Sequence, residues 1–182
     1  MIVDVHSHFW AKEHFIEPWV SDFSRVTRDS SASFTVEIDD YLAGTDGADV
    51  SIVFGFQARA SGAHVPNDAV VDFVNVLGRI RPTIGYMSVD PSDGEAAVVE
   101  VERCAQDLGL KGIKLALAYS NISPIDPRTM RVLERANALR LPVIVHQSSV
   151  FSSAGTLVTA SPILLDEVAT TFPNLPIVVA HL

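Results

Sequence analysis

Short runs of β-branched and other apolar residues recur along the chain, and patterns typical of helices lie between them. The runs cover residues 2–5, 50–56, 83–89, 112–117, 142–145 and 177–179. After a longer first interval, they start about 30 residues apart, which is the length of one strand, one helix and their connections. This spacing predicts repeated βα units and a parallel sheet.

Helix starts are marked by capping side chains or by proline in the first turn. The candidates are Asn67, Ser92, Asp126-Pro127 and Ser161-Pro162. Ser92 and Glu95 have the spacing of a capping box. We expect the helix after Ser92 to run to Gly109 and to bury Cys104.

Two architectures fit this rhythm: an open doubly wound sheet and a (β/α)8 barrel. No glycine-rich phosphate loop follows the first strand, where the sequence is His-Ser-His instead. We therefore predict an α/β fold, a (β/α)8 TIM barrel, as one domain over residues 1–182 with about six βα units present. The last residues, Ala180-His181-Leu182, fall at the edge of a strand, so we expect the barrel to be incomplete at its C-terminus.

Composition excludes several classes of protein. Hydrophobic residues make up 48% of the chain and charged residues 19%, which is typical of a folded domain. A net charge of −9 disfavours nucleic-acid and anionic-membrane partners, so we expect a small-molecule substrate and leave a homo-oligomer open. The single cysteine, and the lack of a signal-like start or an apolar run of about 18 residues, predict a cytoplasmic protein without membrane anchoring.

The histidines follow the strand pattern. The chain has His6, His8, His14, His64, His146 and His181. Four of them, His6, His8, His146 and His181, fall at the C-terminal end of a predicted strand, where parallel barrels carry their chemistry. We expect His14 and His64 to lie in solvent-facing loops.

Strand alternation places His6 and His8 on one face with Asp4, so both imidazoles point inward. Neutral imidazoles suit Zn²⁺ and similar ions, and His146 is the candidate third ligand. His181 is the candidate catalytic residue, as a base near a metal-bound water, although sequence alone does not separate ligand from base. Hydrogen-bonded core histidines are the alternative interpretation.

Lys114 also points inward by alternation. It could hold a substrate carboxylate, become carbamylated and bridge two metals, or pair with an inward acid such as Asp4, and the last interpretation is favoured. The acidic pairs Asp39-Asp40 and Glu100-Glu102 are predicted to be solvated helix surface. Substrate-binding residues stay unassigned, because the loop residues Trp10, Arg25, Arg28 and Arg59 have no partner that the sequence identifies.

Several segments resemble the amidohydrolase superfamily, in the amidohydrolase-related branch that includes amino-carboxymuconate-semialdehyde decarboxylase. They are the opening Val-Asp-Val-His-Ser-His-Phe and residues 46–50, 65–68, 81–91, 109–115, 141–146 and 175–181. The similarity covers nearly the whole chain and follows the order of the family's first six strands.

The resemblance implies a barrel in which His6, His8 and His146 ligate one divalent ion, usually zinc, while His181 assists the reactive water. It also implies an aspartate ligand from strand eight, which this sequence does not contain. Ala116 departs from the family, because many relatives carry histidine there. The commoner single-metal members do not use a carbamylated lysine, so one ion is favoured.

We expect a metal-dependent hydrolase in which the ion makes its water acidic enough to attack a small-molecule carbonyl such as an amide or lactone. The alternative reaction is non-oxidative decarboxylation of a small unsaturated or aromatic carboxylic acid. An alternative of another class is a degenerate, non-catalytic metal-binding barrel. A phosphoesterase of the other His-x-His barrel families fits the residues around His8 less well.

Overall fold

The computed structural model describes residues 1–29 and 34–181 of the chain. The main sheet holds six parallel strands in the order β1-β2-β5-β6-β7-β8. The strands of the described chain are β1 Val3–His8, β2 Val50–Phe54, β3 Gln57–Ala58, β4 Ala63–His64, β5 Thr83–Ser88, β6 Ile113–Leu115, β7 Val143–His146 and β8 Ile177–Ala180. The α-helices are α1 Trp19–Thr27, α2 Ile38–Gly44, α3 Asn67–Leu77, α4 Glu95–Gln106, α5 Pro127–Ala138 and α6 Leu164–Thr171.

The predicted α/β architecture is confirmed, because each of the six apolar runs overlaps one strand of the parallel sheet. Neighbouring strands pair in order along the chain, as in successive units of a (β/α)8 barrel. Residues 180–182 are predicted to fall at the edge of the last strand, and of these Leu182 lies outside the described residues. No helix in residues 1–29 and 34–181 is long and apolar enough to cross a membrane.

Two apolar layers follow from the alternation of side chains along each strand. On the outer face, Val143 and Val145 pack in the main core, together with Val101 of α4 and Leu133 of α5. On the inner face, Ile144 packs in a small cluster with Phe54, Tyr86 and Ala180. The helices therefore cover one face of the sheet, while the other face lines the barrel interior.

The rim at the C-terminal ends of the strands is covered by connections that the sequence pattern does not predict. The connection after β1 contains a short 3-10 turn, Lys12–His14, and helix α1. The connection after β2 contains an antiparallel hairpin of β3 and β4, and Phe15 forms a β-bridge to Ala63 of that hairpin. These segments carry most of an aromatic cluster that packs above the sheet.

The helix starts are partly as predicted. Asp126 accepts a hydrogen bond from Arg128 N at the start of α5, which confirms that cap. The Ser92–Glu95 capping box is wrong: the Asp90 carboxylate binds Ser92 N and Ser92 Oγ, which fixes a 3-10 turn and delays α4 until Glu95.

Of three further predictions about the helices, one is wrong and two are confirmed. Helix α6 begins at Leu164 without a side-chain cap, so the start predicted at Ser161-Pro162 is also wrong. The prediction that Cys104 is core filling is confirmed, since its side chain is fully buried. Asp39 and Asp40 are exposed in the first turn of α2, as expected for solvated helix surface.

Asn67 begins α3, but its side chain joins two units of the fold instead of capping the helix. Its amide accepts from Ser88 N at 2.9 Å and donates to Ser88 O at 3.1 Å. It also donates to Glu100 Oε1 at 2.8 Å. Glu100 is therefore only partly solvated, and the prediction that it is simply helix surface is wrong.

We predict that Asn67→Ala lowers the free energy of unfolding by about 2–3 kcal/mol, because it leaves buried polar groups of Ser88 without partners. Urea denaturation followed by circular dichroism measures the change. Asn75→Ala, at an exposed position of the same helix, is the matched control and should change stability by less than about 0.5 kcal/mol. Equal stability of the two variants would contradict this assignment.

Candidate metal centre

Two imidazoles stand side by side at the end of β1. The ring centroids of His6 and His8 are 5.3 Å apart. Phe54 of the neighbouring strand β2 presents its ring at right angles to both, at 5.1 Å from His6 and 4.6 Å from His8. The predicted inward orientation of His6 and His8 is therefore what the structure shows, since Phe54 belongs to the inner cluster.

The other two strand-end histidines complete the group. His146 ends β7 opposite Ala180 of β8, and His181 follows directly. The His181 ring lies 4.5 Å from the His6 ring and 5.0 Å from the His146 ring. The four imidazoles thus form a continuous row at one rim, in the order His8, His6, His181, His146.

The remaining histidines lie away from this row. His14 accepts a hydrogen bond from Ala11 N at its Nδ1 atom, at 2.9 Å, and so stabilises its own turn. His64 is exposed on the β3–β4 hairpin and lines a separate cavity of about 320 Å³ with Arg59 and Asp93. The prediction that both lie in solvent-facing loops is only partly right, because His14 is half-buried in a 3-10 turn and His64 is exposed but lies in β4.

Burial keeps the row uncharged. Burial lowers the pKa of His6 and of His146 to about 4, and the nearby Lys114 ammonium acts in the same direction. The pKa of His8 lies well below its usual value for the same two reasons, and that of His181 is also lowered, chiefly by burial. Neutral imidazoles keep a lone pair on one ring nitrogen, which is what metal binding and proton acceptance require.

Lys114 lies beneath the row and is 0% exposed. Its Nζ atom is 3.2 Å from His6 Nε2 and 5.1 Å from the centre of the Phe54 ring. In residues 1–29 and 34–181 no carboxylate pairs with it, and Asp4 instead accepts a hydrogen bond from His6 N at 3.1 Å. The inward orientation is confirmed, but the favoured Asp4–Lys114 ion pair is wrong because the Asp4 carboxylate is held by its own strand.

The donor set fits a divalent ion in its chemistry. His8 Nδ1 is buried and has no hydrogen-bond partner in the described chain, although a hydrogen bond with the Gly55 backbone raises the His8 pKa. A buried ring nitrogen without a partner destabilises the folded protein unless an ion or a hydrogen-bonding group binds it. As the side chains stand, however, no three His, Cys, Asp or Glu residues within 1–29 and 34–181 converge on one point. The imidazoles are gathered at one rim, and side-chain rotation is needed for them to share an ion.

Aromatic rings from the rim connections enclose the row. Trp10 stacks on His8 with ring centroids 4.8 Å apart, and Tyr119 contacts His146 edge-on at 5.2 Å. The sequence alone identifies no partner for Trp10. The alternation that places His6 and His8 on one face could have identified Trp10, because Trp10 is the next position on that face. Tyr119 lies beyond the end of β6, where no such pattern applies.

Two of the arginines predicted to lie in loops, Arg25 and Arg59, have partners that the sequence did not identify, and Arg25 lies in α1 instead of a loop. Arg25 Nη2 pairs with Asp22 at 3.0 Å, and Asp22 also accepts from Ser153. Arg59 Nε pairs with Asp93 at 2.6 Å. These two side chains are therefore occupied at the rim and not free in the site.

Comparison with known proteins gives a match to one family model. The model described as amidohydrolase matches residues 3–182. The search of curated proteins gives no match. Several solved structures are similar to the chain in fold.

An uncharacterised TIM-barrel protein of Bordetella bronchiseptica has a TM-score of 0.71 and 16% identity, covering 97% of this chain and 65% of its own. A 5-carboxyvanillate decarboxylase of Novosphingobium aromaticivorans, with bound manganese, has a TM-score of 0.62 and 16% identity, covering 98% and 65%. A probable 2-pyrone-4,6-dicarboxylic acid hydrolase of Acinetobacter baumannii has a TM-score of 0.60 and 14% identity, covering 98% and 57%. At such identities the likeness shows the barrel fold, and the chain spans about 65% or less of the length of these three proteins.

Lys114 gives a prediction about stability and pH. Burial lowers its pKa from 10.5 to about 7. Between these values only the unfolded chain binds the proton at Lys114, so this residue makes stability rise with pH across that window. We predict that the stability of Lys114→Met relative to the wild type falls by a few kcal/mol between pH 7 and pH 10.

Urea denaturation at several pH values measures this difference. The neighbouring Lys111 is exposed, so Lys111→Met is the control for the loss of a lysine side chain that is not buried. A pH-independent difference for Lys114→Met would show that the buried amine keeps its ordinary pKa.

Proposed function

Because the chain belongs to the amidohydrolase family, we propose that the row of rim imidazoles is the site of a metal-dependent hydrolase acting on a small-molecule carbonyl substrate. The observation that carries the proposal is the continuous contact of four uncharged imidazoles, His8, His6, His181 and His146, contributed by β1, β7 and the residue after β8. Their position at the C-terminal ends of parallel strands is where barrel enzymes carry their reactive groups.

His6, His8 and His146 would hold the ion through ring nitrogens. A bound divalent ion supplies Lewis acidity, which polarises a carbonyl and acidifies a water molecule. Three imidazoles favour zinc, whereas the Novosphingobium decarboxylase holds manganese, so both metals belong in the test.

His181 differs from the other three because its side chain is exposed at the open side of the row. Its neutral imidazole can accept a proton from a water molecule that approaches the substrate. The ring contacts to His6 and His146 hold it beside the proposed ligands, and the rings of Phe54 and Tyr119 pack against His6 and His146 respectively. His181 therefore has the position and protonation state of a general base.

Lys114 favours a second candidate reaction, the decarboxylation of a small unsaturated or aromatic carboxylic acid. A buried amine with no carboxylate partner in the described residues can pair with a carboxylate of the substrate. The names of two similar structures, a 5-carboxyvanillate decarboxylase and a 2-pyrone-4,6-dicarboxylic acid hydrolase, both describe ring compounds with carboxylate groups. We therefore propose carboxylate-bearing carbonyl compounds as the first substrates to try.

Metal binding is tested by calorimetric titration of the 182-residue chain with Zn²⁺ and Mn²⁺. We expect His8→Asn to weaken binding by about 100-fold, because it removes a ligand and not only a neighbour of one. His64→Asn is the matched control, since His64 lies on the hairpin outside the row, and should bind as the wild type does. Wild-type affinity in His8→Asn would show that this imidazole is not a ligand.

The reaction is tested by incubating metal-loaded protein with lactones and amides, and separately with aromatic carboxylic acids. Addition of water to the first group supports hydrolysis, and release of CO₂ from the second supports decarboxylation. Tight metal binding with neither product supports the non-catalytic barrel. His181→Asn should abolish turnover while retaining the metal, and loss of the metal in that variant would instead make His181 a ligand.

A further inference from the structure

We propose that Trp10 is a positioning residue that restrains the His8 imidazole at the rim and strengthens metal binding there. This inference rests on the proposed function, because it takes His8 as a metal ligand. Trp10 itself touches neither the ion nor the substrate in this account.

The contact is a parallel stack. The indole of Trp10 and the imidazole of His8 have centroids 4.8 Å apart and planes within 19° of each other. Phe54 meets the same imidazole nearly at right angles, at 4.6 Å and 83°, and Phe56 lies 5.8 Å away. The His8 ring is therefore packed against one aromatic face and against the rings of two other residues.

Trp10 is itself fixed in place. Its carbonyl accepts a hydrogen bond from Val36 N at 3.0 Å, and the preceding residue, Phe9, donates from its N atom to Phe54 O at 3.1 Å. The indole meets Phe15 at right angles, at 5.5 Å, and Phe15 in turn stacks on the buried Trp19. These ring contacts connect Trp10 to the buried Trp19, so the packed interior holds the indole against His8.

The stack supplies a restraint that hydrogen bonding does not. Metal-bound histidines are usually oriented by a hydrogen bond from the other ring nitrogen to a carboxylate or carbonyl. A hydrogen bond with the Gly55 backbone is among the influences on the His8 pKa, but Nδ1 is unpartnered in the described chain. One such bond leaves the tilt of the ring free, and the flat contact with Trp10 fixes that tilt.

The electrostatics favour the metal-bound state in particular. An imidazole that donates its lone pair to a cation becomes more positive, and the face of an indole attracts positive charge. The stack is therefore stronger with the ion present than without it. Differential stabilisation of this kind raises metal affinity, whereas packing that is equal in both states would not.

The chain has two tryptophans, Trp10 and Trp19, which makes the contact directly observable. Trp19→Phe leaves Trp10 as the only indole, and Trp19 has no ring contact with a histidine in the described chain. In this background Co²⁺ at His8 should quench Trp10 fluorescence strongly and saturably. Unchanged fluorescence with Co²⁺ bound, as measured by calorimetry, would place the ion away from the stack.

Affinity is then compared between Trp10→Leu and Trp10→Phe in the wild-type chain, with circular dichroism and urea denaturation to confirm folding. We expect Trp10→Leu to weaken Co²⁺ or Zn²⁺ binding by about tenfold, and Trp10→Phe, which keeps a flat ring, to weaken it by about threefold or less. Trp19→Phe is the matched control and should leave the affinity unchanged. Wild-type affinity in folded Trp10→Leu would overturn the proposal.

A metal-free measurement separates this inference from the proposed function. Nitrogen-15 NMR of the histidine rings should show one His8 tautomer, with a ring-current shift from the indole, in the wild type and averaged signals in Trp10→Leu. If the wild type binds no metal, the proposed function fails, and these spectra still decide whether Trp10 orients His8. Identical His8 spectra in the two proteins would overturn the orienting role, whatever the metal result.

Discussion

The parallel pairing of six strands is the constraint on which the site depends. When strands run in the same direction, all their C-terminal ends meet at one rim, and side chains at alternate positions face the interior together. His6 and His8 reach that rim from β1, and His146 reaches it from β7, which is far away in the sequence. A one-residue slip in the register of β1 would turn both of its imidazoles toward the helices.

The interior of the sheet combines apolar burial with basic groups, and this combination shapes the chemistry. Burial beside Phe54 lowers the pKa of the His6 and His8 imidazoles, and repulsion by the Lys114 ammonium acts in the same direction, so the neutral rings are favoured. The same burial weakens the basicity of Lys114, so the amine and the imidazoles can lie together without strong repulsion. The imidazole lone pairs of this site suit a cation and the Lys114 amine suits an anionic substrate, while the Asp4 carboxylate is held by His6 N.

The sequence was sufficient for the strands and for the row of histidines, because both depend on local alternation and on the roughly 30-residue repeat. It was insufficient where the choice among several available hydrogen-bond partners decides the outcome. Asp90 takes Ser92 away from the predicted capping box, and Asn67 binds Ser88 instead of capping α3. The pairing of Lys114 failed for the same reason, since the Asp4 carboxylate turns back to His6 N on its own strand.

The account is tested most directly by locating the metal. Crystals grown with Zn²⁺ or Mn²⁺, measured at the absorption edge of the metal, give anomalous density at the ion alone. We predict one strong peak bounded by His6, His8 and His146, within about 2.0–2.3 Å of their ring nitrogens. A peak elsewhere, such as the cavity of about 320 Å³ lined by His64, Asp90 and Asp93, or no peak at saturating metal, would contradict it.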